Sequence, residues 1–349
     1  MKNMNIDEKY MQICLHLAKQ GMGNVTPNPM VGCVIVHNDT IIGQGFHEVY
    51  GDPHAEVNAV ANVKDTSLLK ESTLYVNLEP CAHFGKTPPC ANLIVAHQIP
   101  KVVIGCIDTF SEVSGKGITK METAGIKVTI GILEKEALEL NKRFFTFHTE
   151  KRPYIILKWA QTQDGFIDID RSSSTKMDNW ITTPASKKLV HQWRAEEQSI
   201  MVGTNTALND NPSLTVREVE GNNPIRIVLD MDLRLPENLH LFDKTVPTLV
   251  INKLKNETST NLEFIKINKD EKLITQILQE LYNRDIQSVI IEGGAKLLNS
   301  FIDQNLWDEA RVFTGKKTFK KGLEAPGIDK SSKFTTQIDS DILTTYFND

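Results

Sequence analysis

Apolar positions along the chain recur at two spacings, and each predicts its own kind of element. Tyr10, Cys14, Leu17 and Ala18 follow the helical repeat. Asp7 can cap that helix, which is predicted to run to about Gln20 before Gly21 and Gly23 end it. Met30 to Val36 is an apolar run of strand length, Asn38-Asp39 its turn, and Ile41 to His47 its partner. His54 to Val63 reads as a helix and Thr73 to Leu78 as a strand. Pro88 or Pro89 opens the next helix, with Leu93, Ile94 and Ala96 along it. Val102 to Cys106 and Lys127 to Ile130 are short strands. Glu134 to about Phe145 is a helix whose Leu138, Phe144 and Phe145 dock on the domain. Strands and helices in alternation predict a three-layer α/β/α sandwich.

A polar, charged stretch from His148 to Pro153 then interrupts the pattern, and the domain boundary is placed there, giving 1–148 and 149–349. The second half alternates again. Tyr154 to Trp159, Ile200 to Gly203, Ile225 to Asp230, Thr248 to Asn252, Ser288 to Glu292 and Arg311 to Thr314 read as strands. Pro184 to Glu197, Glu271 to Asn283 and Ala295 to Asn305 read as helices, making an open α/β sheet. Neither repeats nor low-complexity tracts stand out.

Composition adds little to this picture except by exclusion. At 349 residues the chain has room for two ordinary domains, and its 40% hydrophobic and 24% charged content is that of a globular protein. A net charge of -5 gives no overall attraction to nucleic acid. The N-terminus lacks a signal-type apolar core, and no apolar run reaches membrane-spanning length, so a cytoplasmic protein with no membrane partner is expected. Five widely spread cysteines do not form a secreted-scaffold spacing. Cys14, Cys33 and Cys106 lie in apolar runs and read as buried small hydrophobes.

The chemistry gathers around His54, Cys81 and Cys90. One imidazole and two thiolates suit Zn²⁺ and leave a tetrahedral ion one open position for a water. Glu56 is placed to shuttle protons to and from that water. His-x-Glu followed by Pro-Cys and a second Cys is a zinc nucleobase-deaminase pattern, although here eight residues separate the cysteines rather than two. All three ligands fall at or near predicted helix N-termini, where thiolates are favoured. Two blander readings compete: a Cys81–Cys90 disulfide, and a structural zinc closed by His83. In the second half, the strand ending at Glu292-Gly293-Gly294 and the helix after it offer bare backbone N–H groups to a phosphate. With no Gly-x-Gly-x-x-Gly the Rossmann reading is unsupported, and Gly115-Lys116-Gly117 is wrongly spaced for a Walker loop. Arg194 and Arg217 are either phosphate forks or ion-pair partners.

Longer motifs carry a resemblance. Thr26-Pro27-Asn28-Pro29-Met30-Val31-Gly32, Gly45-Phe46-His47, Gly51 to Glu56 and Glu79 to Cys90 resemble the deaminase half of the bifunctional riboflavin-biosynthesis (RibD) family. Lys158 to Gly165, Trp180-Ile181-Thr182, Val202 to Thr206, Asp210 to Arg217 and Glu292-Gly293-Gly294 resemble its reductase half. The resemblance implies a cytidine-deaminase-like domain followed by a dihydrofolate-reductase-like α/β domain, with one zinc per chain and NADPH as cofactors. It further implies hydrolytic deamination of a diaminopyrimidinone ribosylamine 5′-phosphate, then NADPH-dependent reduction of its ribosyl chain to ribityl. Glu56 would be the catalytic proton carrier, and Asn28 would contact the pyrimidine ribotide. Arg194, Asp210, Leu214, Arg217 and Glu292 would contact the ribotide in the second half. Ala160, Trp180, Thr206, Gly294, Ala295, Lys296, Leu297, Leu298, Asn299 and Ser300 would hold NADPH. Lys158 or Asp210 would assist proton transfer, and a homo-oligomer is expected. This chain departs from the family at Asp108-Thr109-Phe110-Ser111, at Asp178 and at Met231. Two alternatives stay open: a deaminase with a non-catalytic second domain, and a nucleic-acid base deaminase.

Overall fold

The computed structural model describes residues 5–82, 88–108, 115–171, 179–268, 272–331 and 333–348. They divide into two compact units, Met1–Lys151 and Arg152–Asp349. His83, the segment 109–111, Asp178 and Glu271 lie outside the described residues.

The first unit begins with α1 (Ile6–Lys19). Its cap is Asn5, not Asp7: Asn5 forms a capping box with Glu8, and Asp7 sits in the first turn. Then follow β1 (Gly32–His37), β2 (Thr40–Phe46), α2 (Ala55–Ala61), β3 (Thr73–Leu78), α3 (Cys90–Ala96), β4 (Lys101–Cys106), α4 (Lys116–Thr123), β5 (Lys127–Ile130), α5 (Glu134–Leu140) and α6 (Lys142–Glu150). The sheet order is β2-β1-β3-β4-β5, with β1 antiparallel to both neighbours and β3, β4 and β5 parallel. Alternate residues sort to two faces. Cys33, Ile35, Val76 and Ile104 pack with Ala55 and Ala59 of α2, Ala91 and Ile94 of α3, and Ile118 and Met121 of α4. Val34, Val36, Tyr75 and Val103 pack with Tyr10, Met11, Cys14 and Leu17 of α1 on the other face. The three-layer sandwich follows.

Two expectations need correction here. The helix over 134–145 is two helices, broken at Asn141, whose backbone leaves helical geometry (φ -103, ψ 19) while its side chain bonds the main chain of Met30. Leu138 does not dock: it is exposed, whereas Phe144 and Phe145 are buried.

The second unit contains β6 (Tyr154–Gln161), β7 (Phe166–Ile169), α7 (Pro184–Glu196), β8 (Ser199–Gly203), α8 (Thr204–Asp210), β9 (Ile225–Leu229), β10 (Thr248–Asn252), β11 (Glu257–Ser259), β12 (Leu262–Lys266), α9 (Leu273–Tyr282), β13 (Ser288–Ile291), α10 (Ala295–Asp303), β14 (Glu309–Thr314), β15 (Gly322–Glu324), β16 (Lys333–Ile338) and β17 (Asp341–Phe347). Ten strands form one sheet in the order β11-β12-β10-β9-β8-β13-β6-β14-β17-β16, and β7 pairs with β15 separately. From β12 to β14 the neighbours are parallel. Ile155, Leu157, Met201 and Ile291 pack under α9 and α10. Tyr154, Ile156, Ile200 and Val202 pack under α7 and α8. A parallel sheet covered on both faces places its ligand sites at the strand C-terminal ends.

Candidate active sites

In the first unit the sheet delivers the chemistry to one end. His54 is the N-cap of α2, Cys81 follows β3, and Pro89 caps α3 so that Cys90 is its first residue. The prolines fix where α3 starts. His54 Nδ1 lies 3.6 Å from Cys81 Sγ and 3.4 Å from Cys90 Sγ. A tetrahedral N–Zn–S angle at ordinary bond lengths requires a separation of about 3.5 Å. The three donor atoms lie within 4.8 Å of one another, so the set fits one zinc ion. All five cysteines are free thiols, and Cys81 and Cys90 are not bridged.

The electrostatics suit a cation. Cys90 donates its backbone N–H to Cys81 Sγ at 3.3 Å. The Cys90 side chain and His54 outweigh burial and hold the Cys81 thiol well below its ordinary range, towards the thiolate that binds a cation. Glu56, on the first turn of α2, is buried. Burial and the Cys81 thiolate push its carboxyl up to about 7, against the pull of His54. A carboxyl titrating there can both take and return a proton near neutrality.

Around this centre, His47 fixes Asn28. Pro53 O can only accept, so His47 donates Nδ1–H to it (3.2 Å), and His47 Nε2 accepts from Asn28 Nδ2 (3.0 Å). Burial holds His47 below its usual range, consistent with the neutral ring this requires. Glu79 is a second functional-looking residue that sequence reasoning passed over. Its buried carboxylate accepts N–H groups of Gly115 and Gly117 at 3.0 Å, and of Asp108 and Ile118 at 3.4 Å. It thereby caps α4 two residues before Cys81. The Glu-Pro-Cys sequence was the available signal.

In the second unit, strand register brings distant residues together. Leu157 of β6 pairs with Ile291 of β13, so Lys158 and Glu292 follow side by side. Glu292 accepts from Arg194 Nη2 (2.8 Å) and Nε (3.3 Å), and Lys158 Nζ stands 3.9 Å away. Arg194 and Glu292, expected separately, therefore form one buried cluster with Lys158. Burial lowers Lys158, and the nearby Glu292 only partly restores it. Burial acts to raise Glu292, but Arg194 and Lys158 together hold it below the carboxylate range. Arg194 Nη1 also reaches Thr215 O at 3.4 Å, tying the cluster to the 210–217 loop.

On that loop, Leu214 is buried at positive φ, so its side chain belongs to the core. Asp210 is exposed and paired with Arg171 at 2.8 Å. Arg217 is exposed; its guanidinium donates to Thr215 Oγ1 (2.6 Å) and its N–H to His191 Nδ1 (3.1 Å). Burial and the neighbouring Arg194 and Arg217 hold His191 down at about 4. His191 stands three residues before Arg194 on α7, spacing that puts both on one helix face.

The cofactor set gathers partly. Gly294 caps α10, Gly293 O accepts from Gly203 N–H at 3.0 Å, and the Gly293–Gly294 peptide is cis. A Cβ added at Gly294 would stand 3.3 Å from Thr206 Oγ1, so the turns after β8 and β13 abut. Lys296, Asn299 and Ser300 face outward, whereas Leu297 and Leu298 point into the core with Ala295 also buried. The latter three can offer only main chain to a ligand. Ala160 lies on β6 opposite Phe313, and Trp180 is exposed with its indole N–H on Thr182 O. Met231 packs its side chain partly buried against the core.

Two family models match the chain. Residues 4–106 match the cytidine and deoxycytidylate deaminase zinc-binding region, and residues 153–319 match the RibD C-terminal domain. Riboflavin biosynthesis protein RibD of Aquifex aeolicus is 42% identical over 324 residues, covering 91% of this chain and 89% of that protein. The chain belongs to the RibD family. The Bacillus amyloliquefaciens RibD protein is 39% identical over 88% of this chain and 84% of its own length. The crystal structure of the Thermotoga maritima diaminohydroxyphosphoribosylaminopyrimidine deaminase/5-amino-6-(5-phosphoribosylamino)uracil reductase matches with TM-score 0.86 at 36% identity, over 97% of this chain and 98% of that one. Acinetobacter baumannii RibD matches with TM-score 0.86 at 32% identity, over 99% of both chains. As a RibD-family chain it is a bifunctional deaminase and reductase of riboflavin biosynthesis, with zinc and NADPH as cofactors and a small pyrimidine derivative as substrate. The deaminase-like first domain and dihydrofolate-reductase-like second domain agree with the two sheets described above. Among the described residues no helix is long and apolar enough to cross a membrane.

Proposed function

We propose that His54, Cys81 and Cys90 hold the zinc, and that Glu56 is the proton carrier for hydrolytic deamination of the diaminopyrimidinone ribosylamine 5′-phosphate. The observation that carries this reading is the His54 Nδ1 separation from the two sulfurs, 3.6 and 3.4 Å, beside the buried Glu56 carboxyl on the first turn of the same helix. Bound zinc supplies Lewis-acid acidification of a water. Glu56 takes a proton from that water on a carboxylate oxygen as the amine-bearing ring carbon is attacked. It passes that proton to the ring nitrogen, then carries the second proton of the former water from the adduct's hydroxyl to the amine; the C–N bond breaks, a C=O forms, and ammonia leaves. With one Nδ2 proton held by His47, Asn28 is oriented to offer Oδ1 to a donor on the pyrimidine ribotide.

In the second unit, bound NADPH supplies a hydride. Ring opening of the ribosylamine leaves C1′ imine-like and ready to accept it, and the product carries a ribityl chain. Arg194, Glu292, Arg217, Asp210 and the Leu214 main chain line the ribotide side. Lys158, buried and ion-paired, is placed to move the proton that accompanies reduction. Ala160, Trp180, Thr206 and the turn at Gly294 with Ala295, Lys296, Leu297, Leu298, Asn299 and Ser300 form the NADPH side. The deaminase occupies 1–148 and the reductase 149–349. The protein works in the cytoplasm as a homo-oligomer, without nucleic-acid or membrane partners.

The test is Glu56→Gln. Zinc content stays at one per chain while deamination falls by about 10²–10⁴. Deamination at the parent rate removes Glu56 from this role.

A further inference from the structure

Met30 stands where the loop carrying Asn28 enters β1, and two buried amides hold its backbone. Its N–H donates to Asn141 Oδ1 at 2.8 Å. Its C=O accepts from Asn141 Nδ2 at 2.9 Å and from Asn77 Nδ2 at 3.0 Å. Asn77 Oδ1 in turn accepts the Gly32 N–H at 2.7 Å. Asn77 is 0% exposed and Asn141 2%.

The arrangement is more specific than filling a core with satisfied polar groups. Cys33 pairs with Val76 at the end of the β1–β3 ladder, so Asn77 falls opposite Gly32. Beyond that point the Asn77 side chain replaces the backbone partner, and the chain is released to turn into the loop. Asn141 contributes by leaving helical geometry between α5 and α6. Among the described residues both amides spend their hydrogen bonds on the main chain of residues 30 and 32. There is no slack at the entry: a Cβ at Gly32 would lie 2.1 Å from Cys14 O of α1. Two residues upstream, Asn28 N–H closes the loop on Val25 O at 2.8 Å and the Asn28 amide meets His47.

We propose that Asn77 and Asn141 are positioning residues for the deaminase substrate: they fix the main chain at Met30 and Gly32 and so set where the Asn28 amide stands. They touch neither substrate nor metal. The proposal rests on the reading that Asn28 contacts the pyrimidine ribotide. A contact made equally in the bound and transition states appears in KM and not in kcat.

The experiment measures deamination kinetics and zinc content on the full chain for Asn28→Ala, Asn141→Asp and the double variant. Asn141→Asp keeps the acceptor for Met30 N–H and sets a carboxylate oxygen against Met30 O. Asn141→Ser, which cannot reach both groups, serves as the second variant if the aspartate does not fold. The expected result is a KM raised about tenfold by Asn141→Asp, one hydrogen bond's worth, with kcat within about twofold and zinc still one per chain. In the Asn28→Ala background the same substitution adds less than about twofold, because its route is already gone. Effects that multiply in the double variant overturn the positioning role while leaving Asn28 as a substrate contact. Loss of zinc or of kcat in Asn141→Asp also overturns it. An Asn28→Ala chain with unchanged KM overturns the Asn28 reading itself, and this proposal with it.

Discussion

Replacing Glu292 by glutamine removes the one anion between two buried cations. The carboxylate now faces Arg194 at 2.8 and 3.3 Å and Lys158 at 3.9 Å, all three side chains being largely shielded from water. Breaking a buried pair by deleting one partner costs about 3–5 kcal/mol. The lower end applies here, because Lys158 is already depressed by burial and can shed its proton, while Arg194 cannot. About 3 kcal/mol in a domain the size of Arg152–Asp349 lowers its melting temperature by about 6–12 °C. The sign with pH follows from the direction of the shift. Glu292 is held below its usual range in the folded chain, so its stabilisation is complete above the unfolded carboxyl's pKa of about 4.3 and is lost as pH falls through the folded value. Differential scanning calorimetry of parent and variant between pH 8 and 2 is the assay, since the loss falls below about pH 4.3. The gap is full at neutrality and closes in acid. An Arg194→Met/Glu292→Leu double variant recovers at least half of it, since an apolar pair leaves no orphaned charge. A melting temperature unchanged to within about 1 °C at pH 7, or a gap that ignores pH, refutes the ionic account of this cluster.

Other consequences are more local. Cys81→Ser leaves two of three zinc ligands, so the chain loses its metal on dialysis while reduction of the already deaminated pyrimidine continues; retained stoichiometric zinc contradicts the ligand set. Glu79→Gln puts an NH2 among main-chain N–H donors at the start of α4, costing about 2–3 kcal/mol and lowering the first unit's transition by about 4–12 °C in the same calorimeter. Arg217→Ala raises the reductase KM for the ribotide about tenfold with kcat retained. The same variant leaves thermal stability alone, because Arg217 is exposed and its guanidinium bonds the nearby Thr215 hydroxyl; unchanged KM removes its phosphate role.

How much of this was legible before the structure depends on where each element's partners lie. Strands such as β4 and β10 announce themselves, because both faces are buried and the apolar run is continuous. β16 carries no such signal: all but its last residue is exposed, so its sequence does not alternate and it was missed, as was its neighbour β17. α4 was read as a glycine loop, because its N-terminal cap is the carboxylate of Glu79, far back in the chain. The break at Asn141 was equally invisible, since the competing partner is Met30, on another element.

The sites divide along the same line. His54, Glu56, Cys81 and Cys90 are legible because each helix or strand end carries its own local signal, namely a proline or a short spacing. The cluster of Lys158, Arg194 and Glu292 comes from a strand, a helix and a second strand end. The resemblance named Arg194 and Glu292 singly as ribotide contacts, but only the β6–β13 register shows that they bond each other and Lys158. Leu297 and Leu298 illustrate the limit of carrying a segment over whole. Helical periodicity turns those side chains into the core while Lys296 and Asn299 face out.

The most direct test of two linked active sites follows ammonia release and NADPH oxidation together, using zinc-loaded full-length chain and the diaminopyrimidinone ribosylamine phosphate. One ammonia and then one NADPH consumed per pyrimidine, with the NADPH phase lagging, is the predicted result. Ammonia without NADPH oxidation, or NADPH oxidation that precedes ammonia, contradicts it.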